Sequence, residues 1–237
     1  MVYFCHPMVR FVGLTGPIAC GKSAVAQCLV EGGLPLVDAD AVYHKLVQDR
    51  NGAMHRAIVQ AFGQEVLGDD GRIDRKRLGE IVFNDSGQLK KLNRATHSLV
   101  LRGIACEVAQ HILRGHGTVV LDIPLLVKFP VARRLFLSDV VVVVTTPDEQ
   151  LKRLMARNGF TEEEARNRIE MQQGADQQRK LATIVIDNSG SRSDLEAKVS
   201  DTLRTMKRGW GLHWITALVL ATFTTGIACW KGLASVL

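Results

Sequence analysis

Eight consecutive residues, Gly16, Pro17, Ile18, Ala19, Cys20, Gly21, Lys22 and Ser23, place two glycines, a lysine and a hydroxyl at the spacing GxxxxGK[ST]. Each residue type has a use in holding a polyphosphate. Glycines at the two ends let the backbone wrap closely, so that successive N–H groups and the positive end of a following helix point at an anion. Lys22 supplies a cation that bridges β- and γ-phosphates, and the Ser23 hydroxyl is placed to ligate Mg²⁺. The apolar run RFVGLT precedes the segment and AVAQCLV follows it. That is the strand, loop and helix context this ATP-binding motif requires. Pro17 has no N–H and cannot join the donors, at the position where the loop needs one least. Cys20 is either a thiol activated by the helix terminus or a small residue filling space.

The second group able to do chemistry is the carboxylate pair of VDAD, Asp38 and Asp40, at the carboxyl end of a short apolar run. Open α/β sheets keep their ligands at that edge. A carboxylate there can take the proton of an attacking hydroxyl. Asp40 can equally cap the helix that begins AVYHKLV, and one residue can do both.

The elements that must position these groups follow from periodicity. Five apolar, β-branched runs, Val9 to Leu14, Pro35 to Asp38, Thr118 to Ile123, Asp139 to Thr145 and Thr183 to Asp187, are expected as buried parallel strands, with helical stretches between them. This is the βαβ rhythm of a doubly wound α/β sheet. Residues 53–114 carry helical periodicity and no convincing strand, which predicts a helical insertion broken at Gly63, at Gly68 to Gly71 and at Ser86 to Gly87. Residues 153–180 are dense in Arg, Glu and Gln and are expected to form a lid, with Thr161 capping a helix and Glu164 three residues on.

Composition narrows the partners. The formal net charge is +6, but Lys207, Arg208 and Lys231 flank the last apolar segment and account for half of it. The remaining excess suits an anionic small molecule and argues against nucleic acid. Five scattered cysteines without a CxxC pair match neither a disulfide framework nor a zinc site, so a reducing compartment is expected. Residues 1–8 read as an extension without the features of a secretory or organelle signal. No NKxD-like guanine-reading sequence follows a later strand, which disfavours a GTPase.

With these residues in place, FVGLTGPIACGKSAVA followed by LVDADAVYHKLV resembles the opening of the dephospho-CoA kinases. GRIDRKRLGEIVFND, LKKLNRATHSLV, VVLDIPLLVK, EQLKRLMARNGFTEEEARNRIEMQQ and VIDNSG continue the resemblance in order, over roughly residues 9–206. It implies a P-loop NTPase three-layer fold with a five-stranded parallel sheet, a helical region that receives the CoA moiety, and a lid over ATP. It further implies ATP-dependent, Mg²⁺-dependent phosphorylation of the ribose 3′-hydroxyl of dephospho-CoA, the last step of coenzyme A synthesis. Asp40 would be the base, Asp122 would hold a Mg²⁺-bound water, and Pro124, Leu125 and Leu126 would shape the acceptor pocket. His97 would lie near dephospho-CoA. Arg153 and Arg157, one helical turn apart, and Arg168 are the candidates to neutralise the polyphosphate. The chain departs from the family pattern at Pro17, Ser98, Lys128 and Thr183, none of which removes a phosphate-transferring group. Another small-metabolite kinase and a non-catalytic CoA- or ATP-binding protein are the rival readings.

The segment Leu212 to Trp230 contains nineteen residues and none that must be charged. As a helix it would extend about 28 Å, near one hydrocarbon core. Trp210, Trp214 and Trp230 sit at its edges, and Lys207 and Arg208 outnumber Lys231 across it. These features predict a tail anchor over residues 207–237 with the catalytic domain facing the cytosol, in the mitochondrial outer membrane or the endoplasmic reticulum, the alternative being an interfacial or buried helix.

Overall fold

The computed structural model describes residues 9–83, 85–123, 133, 136–172 and 179–208. Pro124, Leu125, Leu126 and Lys128 lie outside them, as does the whole apolar tail. Among the described residues no helix is long and apolar enough to cross a membrane.

Five short apolar runs become strands: β1 (Arg10–Thr15), β2 (Leu36–Asp38), β3 (Thr118–Asp122), β4 (Asp139–Val144) and β5 (Ile184–Asp187). They form one sheet in the order β2-β3-β1-β4-β5. β1 therefore lies at the centre. It pairs in parallel with β3, Arg10 against Thr118 and Leu14 against Asp122, and with β4, Val12 against Asp139 and Thr15 against Val142. Strand β4 pairs in parallel with β5, Val144 against Asp187. Val12, Leu14, Val119, Val120 and Val140 to Val144 are buried. Burial on both faces is why these strands read as continuous hydrophobic runs rather than alternating ones.

Eight helices connect and cover the strands among the described residues: α1 (Lys22–Glu31), α2 (Ala39–Gln48), α3 (Ala53–Phe62), α4 (Arg75–Phe83), α5 (Ser86–Leu113), α6 (Pro147–Asn158), α7 (Glu162–Met171) and α8 (Arg192–Arg208). The chain divides into two compact units, Val37–Gln110 and the flanking sequence on either side. In the flanking unit, α1 and α8 bury Val25, Leu29, Leu195, Val199 and Met206 in one core with Val12, Leu14, Val141 and Ile186. The spacing of Leu195, Val199 and Met206 follows the helical repeat and leaves Arg192, Asp194, Glu196, Lys198, Asp201 and Arg204 outward. The unit Val37–Gln110 has its own core of Val47, Met54, Ile58, Phe62, Val66, Ile73, Leu78 and Leu92. Among the described residues it contains no strand between α2 and α5 beyond a single antiparallel bridge, Leu67 with Ile73.

Local signals explain several boundaries. Thr161 and Glu164 form the expected capping box at α7, Thr161 Oγ1 accepting from the Glu164 N–H and the Glu164 carboxylate accepting from the Thr161 N–H at 2.9 Å. Thr146 caps α6, which has Pro147 at its first position. Arg10 closes the amino edge of the sheet: its guanidinium donates to Asp139 at the start of β4, at 2.6 Å, and to the carbonyl of Met206 in α8. Thr183, one of the departures from the family pattern, stitches the same edge, its hydroxyl accepting from the Val140 N–H at 2.9 Å.

Candidate active site

The loop between β1 and α1 is held open by its backbone. Gly21, the residue before α1, is in the left-handed region with φ +85° and ψ +27°. Ala19 has φ +58°, the one positive value among the described non-glycine residues. Alternation of left- and right-handed conformations turns successive N–H groups to one side, which makes an anion-binding concavity. At the other end, a Cβ on Gly16 would lie 2.6 Å from the Val143 carbonyl oxygen and 2.7 Å from Cys20 Sγ. Only glycine lets the loop start that close to β4.

The sheet register then brings the charged groups together. Asp122 ends β3 directly opposite Leu14, two residues before Gly16, and is 5% exposed. The Lys22 ammonium, on the first residue of α1, donates to Asp122 Oδ1. The Ser23 hydroxyl follows on the exposed side of the first helical turn. Lys22, Ser23 and Asp122 thus gather around one loop, with hard oxygen donors suited to Mg²⁺.

Three residues that sequence reasoning did not single out fix the loop from outside. The Asn188 side-chain amide, just beyond β5, donates to the Cys20 carbonyl at 2.9 Å. Gln150 in α6 donates to the Ile18 carbonyl at 2.7 Å, and Gln172, just after α7, accepts from the Ile18 N–H at 2.6 Å. Each sits in a segment quoted for the family resemblance, but the contacts span more than a hundred residues and leave no local pattern.

The arginines separate. Arg153 of α6 reaches the loop side, its Nη2 donating to the Asn188 carbonyl at 3.0 Å while Nε pairs with Glu149 at 3.5 Å. Arg157, one turn on, is exposed and donates to Asn158 Oδ1. Arg168 lies over the Phe160 ring, 3.9 Å from its centroid. Cys20 is buried and its thiol is pushed up from the ordinary range by that burial, against the opposing influence of the Lys22 N–H and charge. Of the two readings of Cys20, the space-filling one fits.

In the unit Val37–Gln110 the cap of α2 is Asp38, not Asp40. The Asp38 carboxylate accepts from the N–H groups of Asp40 at 2.8 Å and Ala41 at 3.2 Å. The helix begins at Ala39, so the residue before it occupies the capping position. Asp40 lies in the first turn, exposed, and its carboxylate has no hydrogen-bond or ion-pair partner among the described residues. His97 is on an exposed face of α5, beside Ser98 and next to the buried Thr96.

A glycine-bounded loop leaving the central strand of a parallel sheet, with lysine, hydroxyl and strand-end carboxylate around it, defines a P-loop protein of the α/β class. A family model described as Dephospho-CoA kinase matches residues 10–194. The dephospho-CoA kinase of Lactobacillus johnsonii is 40% identical over 85% of this chain and 100% of its own. That of rice, Oryza sativa subsp. japonica, is 42% identical over 83% of this chain and 84% of its own. A solved dephospho-CoA kinase structure from Campylobacter jejuni superposes with a TM-score of 0.63 at 26% identity, covering 84% of this chain and 98% of that one. The chain belongs to the dephospho-CoA kinase family. It is a kinase that phosphorylates dephospho-CoA, a transferase of coenzyme A biosynthesis that uses ATP.

Proposed function

We propose that the loop Gly16 to Ser23 holds the ATP polyphosphate and that Asp40 activates the ribose 3′-hydroxyl of dephospho-CoA. The observation that carries this reading is the gathering of Lys22 and Asp122 at a loop whose left-handed Ala19 and Gly21 build an anion nest. Loop N–H groups cradle the β-phosphate. Lys22 exchanges the Asp122 carboxylate for the β- and γ-phosphate oxygens, and Arg153 adds positive charge as the γ-phosphoryl group comes loose. The 3′-hydroxyl gives its proton to the Asp40 carboxylate as its oxygen bonds to the γ-phosphorus; the bond to the β-phosphate oxygen breaks and ADP leaves. Positioning and charge neutralisation supply most of the rate. Ser23 and Asp122 are the residues that would hold Mg²⁺ and its water, and the ion would supply charge neutralisation to the polyphosphate. His97, Pro124, Leu125 and Leu126 are assigned to the acceptor, and Arg157 to ATP.

In the same reading residues 9–206 are the kinase domain, with 53–114 receiving the CoA moiety and 153–180 closing over ATP. Residues 1–8 are an extension. The uncharged stretch Leu212 to Trp230, with its flanking tryptophans and basic residues, supports a single-pass anchor over 207–237 that leaves the kinase in the cytosol. Resistance of the full chain to alkaline extraction from membranes, lost on removing 212–230, tests that assignment, and co-fractionation distinguishes mitochondrial outer membrane from endoplasmic reticulum.

The principal test is ADP release coupled to a product assay, with ATP, Mg²⁺ and dephospho-CoA, beside Lys22→Ala and Asp40→Asn. Turnover that disappears in both variants supports the residue roles. Wild-type turnover in either overturns the role given to that residue.

A further inference from the structure

The loop that follows β5 is built more rigidly than a connection between a strand and a helix needs to be. Asp187, the last residue of β5, accepts from the Ser189 N–H at 3.0 Å and its hydroxyl at 2.6 Å, and its carbonyl accepts from Lys198 Nζ at 2.7 Å. The Thr146 N–H donates to the Ser189 hydroxyl at 3.0 Å, tying the loop to the start of α6. At the centre of this frame sits Asn188, 8% exposed. Its N–H donates to the Val144 carbonyl at 2.8 Å, and its own carbonyl accepts from Arg153 Nη2 at 3.0 Å and from the Thr145 hydroxyl at 3.3 Å. Its backbone is therefore fixed from three sides. Its side chain points at the phosphate loop, where Nδ2 donates to the Cys20 carbonyl at 2.9 Å. The same Nδ2 lies 2.1 Å from where a Cβ on Gly21 would be, so the amide packs directly on the left-handed residue.

An anion nest works only if its N–H groups face the ligand, which requires the intervening carbonyls to face away and find other partners. Cys20 lies between Ala19 and Gly21, the two loop residues with positive φ. We infer that Asn188 is a positioning residue for phosphoryl transfer: its amide captures the outward-turned Cys20 carbonyl and holds the Cys20–Gly21–Lys22 backbone in its phosphate-binding conformation. The inference rests on the assignment of this loop to ATP. Arg153 becomes part of the same device, since it braces the backbone of Asn188.

Asn188→Asp is the sharpest probe, being nearly isosteric and replacing the donor with an acceptor that faces the Cys20 carbonyl. Asn188→Ala removes the group without the repulsion. In the full-length enzyme, Asn188→Asp is expected to raise the KM for ATP about tenfold or more, Asn188→Ala less, with the KM for dephospho-CoA unchanged within about twofold. Maleimide labelling of Cys20, followed by peptide mass spectrometry, should accelerate in the same order as the loop loosens. Lys22→Ala runs alongside. If Lys22→Ala binds ATP like the wild type, the loop is not the ATP site and the inference falls with that assignment. If Lys22→Ala loses ATP while folded Asn188→Asp keeps wild-type KM and labelling rate, the loop assignment stands and the role of Asn188 is overturned. An equal rise in both KM values with a lowered Tm overturns it as well, because that is a general fold effect.

Discussion

The ammonium of Lys22 rests on the carboxylate of Asp122, joining the first residue of α1 to the last residue of β3 across the head of the central strand. A nucleotide that engages Lys22 must take it from this partner. In the roles proposed above, the carboxylate released would organise the water around a divalent ion. On that proposal the pair exchanges partners as the triphosphate binds.

That exchange makes opposite demands on Asp122. In Asp122→Asn, kcat is expected to fall roughly 10- to 100-fold and the Mg²⁺ concentration for half-maximal activity to rise, as for lost outer-shell metal partners. The KM for ATP should stay level or fall, since Lys22 no longer has a competing anion. A Mg²⁺ titration of initial rates at fixed ATP checks this; a raised KM for ATP with unchanged Mg²⁺ dependence would contradict it.

Asp38 and Asp40 lie two residues apart and should fail in different ways. Asp40→Asn is expected to lower kcat by about 10²- to 10⁴-fold with little change in Tm, as expected for loss of a general base outside the cap. Asp38→Ala should lose about 1 kcal/mol of stability with the cap, a Tm shift of about 2–4 °C. Scanning calorimetry and initial rates on both variants separate the two roles.

Burial governs the thiol inside the loop. Cys20 is raised above the ordinary thiol range chiefly by burial, whereas Cys106 is exposed. Alkylation of the native enzyme near pH 7.5 should therefore modify Cys106 well before Cys20, with ATP slowing Cys20 further. Peptide mapping over a time course reads the order; early loss of activity with Cys20 modified would contradict it.

The capping box of α7 gives a pH dependence of defined sign. Hydrogen bonds from Thr161 hold the Glu164 carboxyl below its ordinary value of 4.5. A carboxylate with a depressed folded value contributes stability that is fully present above the unfolded value and disappears as pH falls through the folded one. The Tm gap between wild type and Glu164→Gln should be largest at neutral pH and close below the ordinary glutamate range. A gap that widens towards acid would refute the assignment.

Much of this was legible in the sequence because the informative signals are local. The β-branched runs predicted all five strands to within a residue at most ends, since a strand buried on both faces must be apolar throughout. The spacing from Gly16 to Ser23 predicted the loop, and Thr161 with Glu164 predicted the start of α7. The cap of α2 was placed two residues late because VDAD offers two equivalent acids and only the backbone distinguishes them. Asn188, Gln150 and Gln172 were missed for a different reason. Their partners are carbonyls and N–H groups of distant residues, which any residue type supplies, so nothing in the pattern of the loop reports them. The separation of Arg153 from Arg157 was likewise invisible, as one helical turn suffices to send one towards Asn188 and leave the other in solvent.

The Arg10 junction has a mechanical consequence. Arg10 grips Asp139 and the Met206 carbonyl, so the last turns of α8 are fastened to the starts of β1 and β4. The phosphate loop and Asp122 sit at the opposite ends of the central strands. The last helix is thus held at two levels, by Arg10 at the amino edge of the sheet and by its packing on α1 nearer the loop that Lys22 closes.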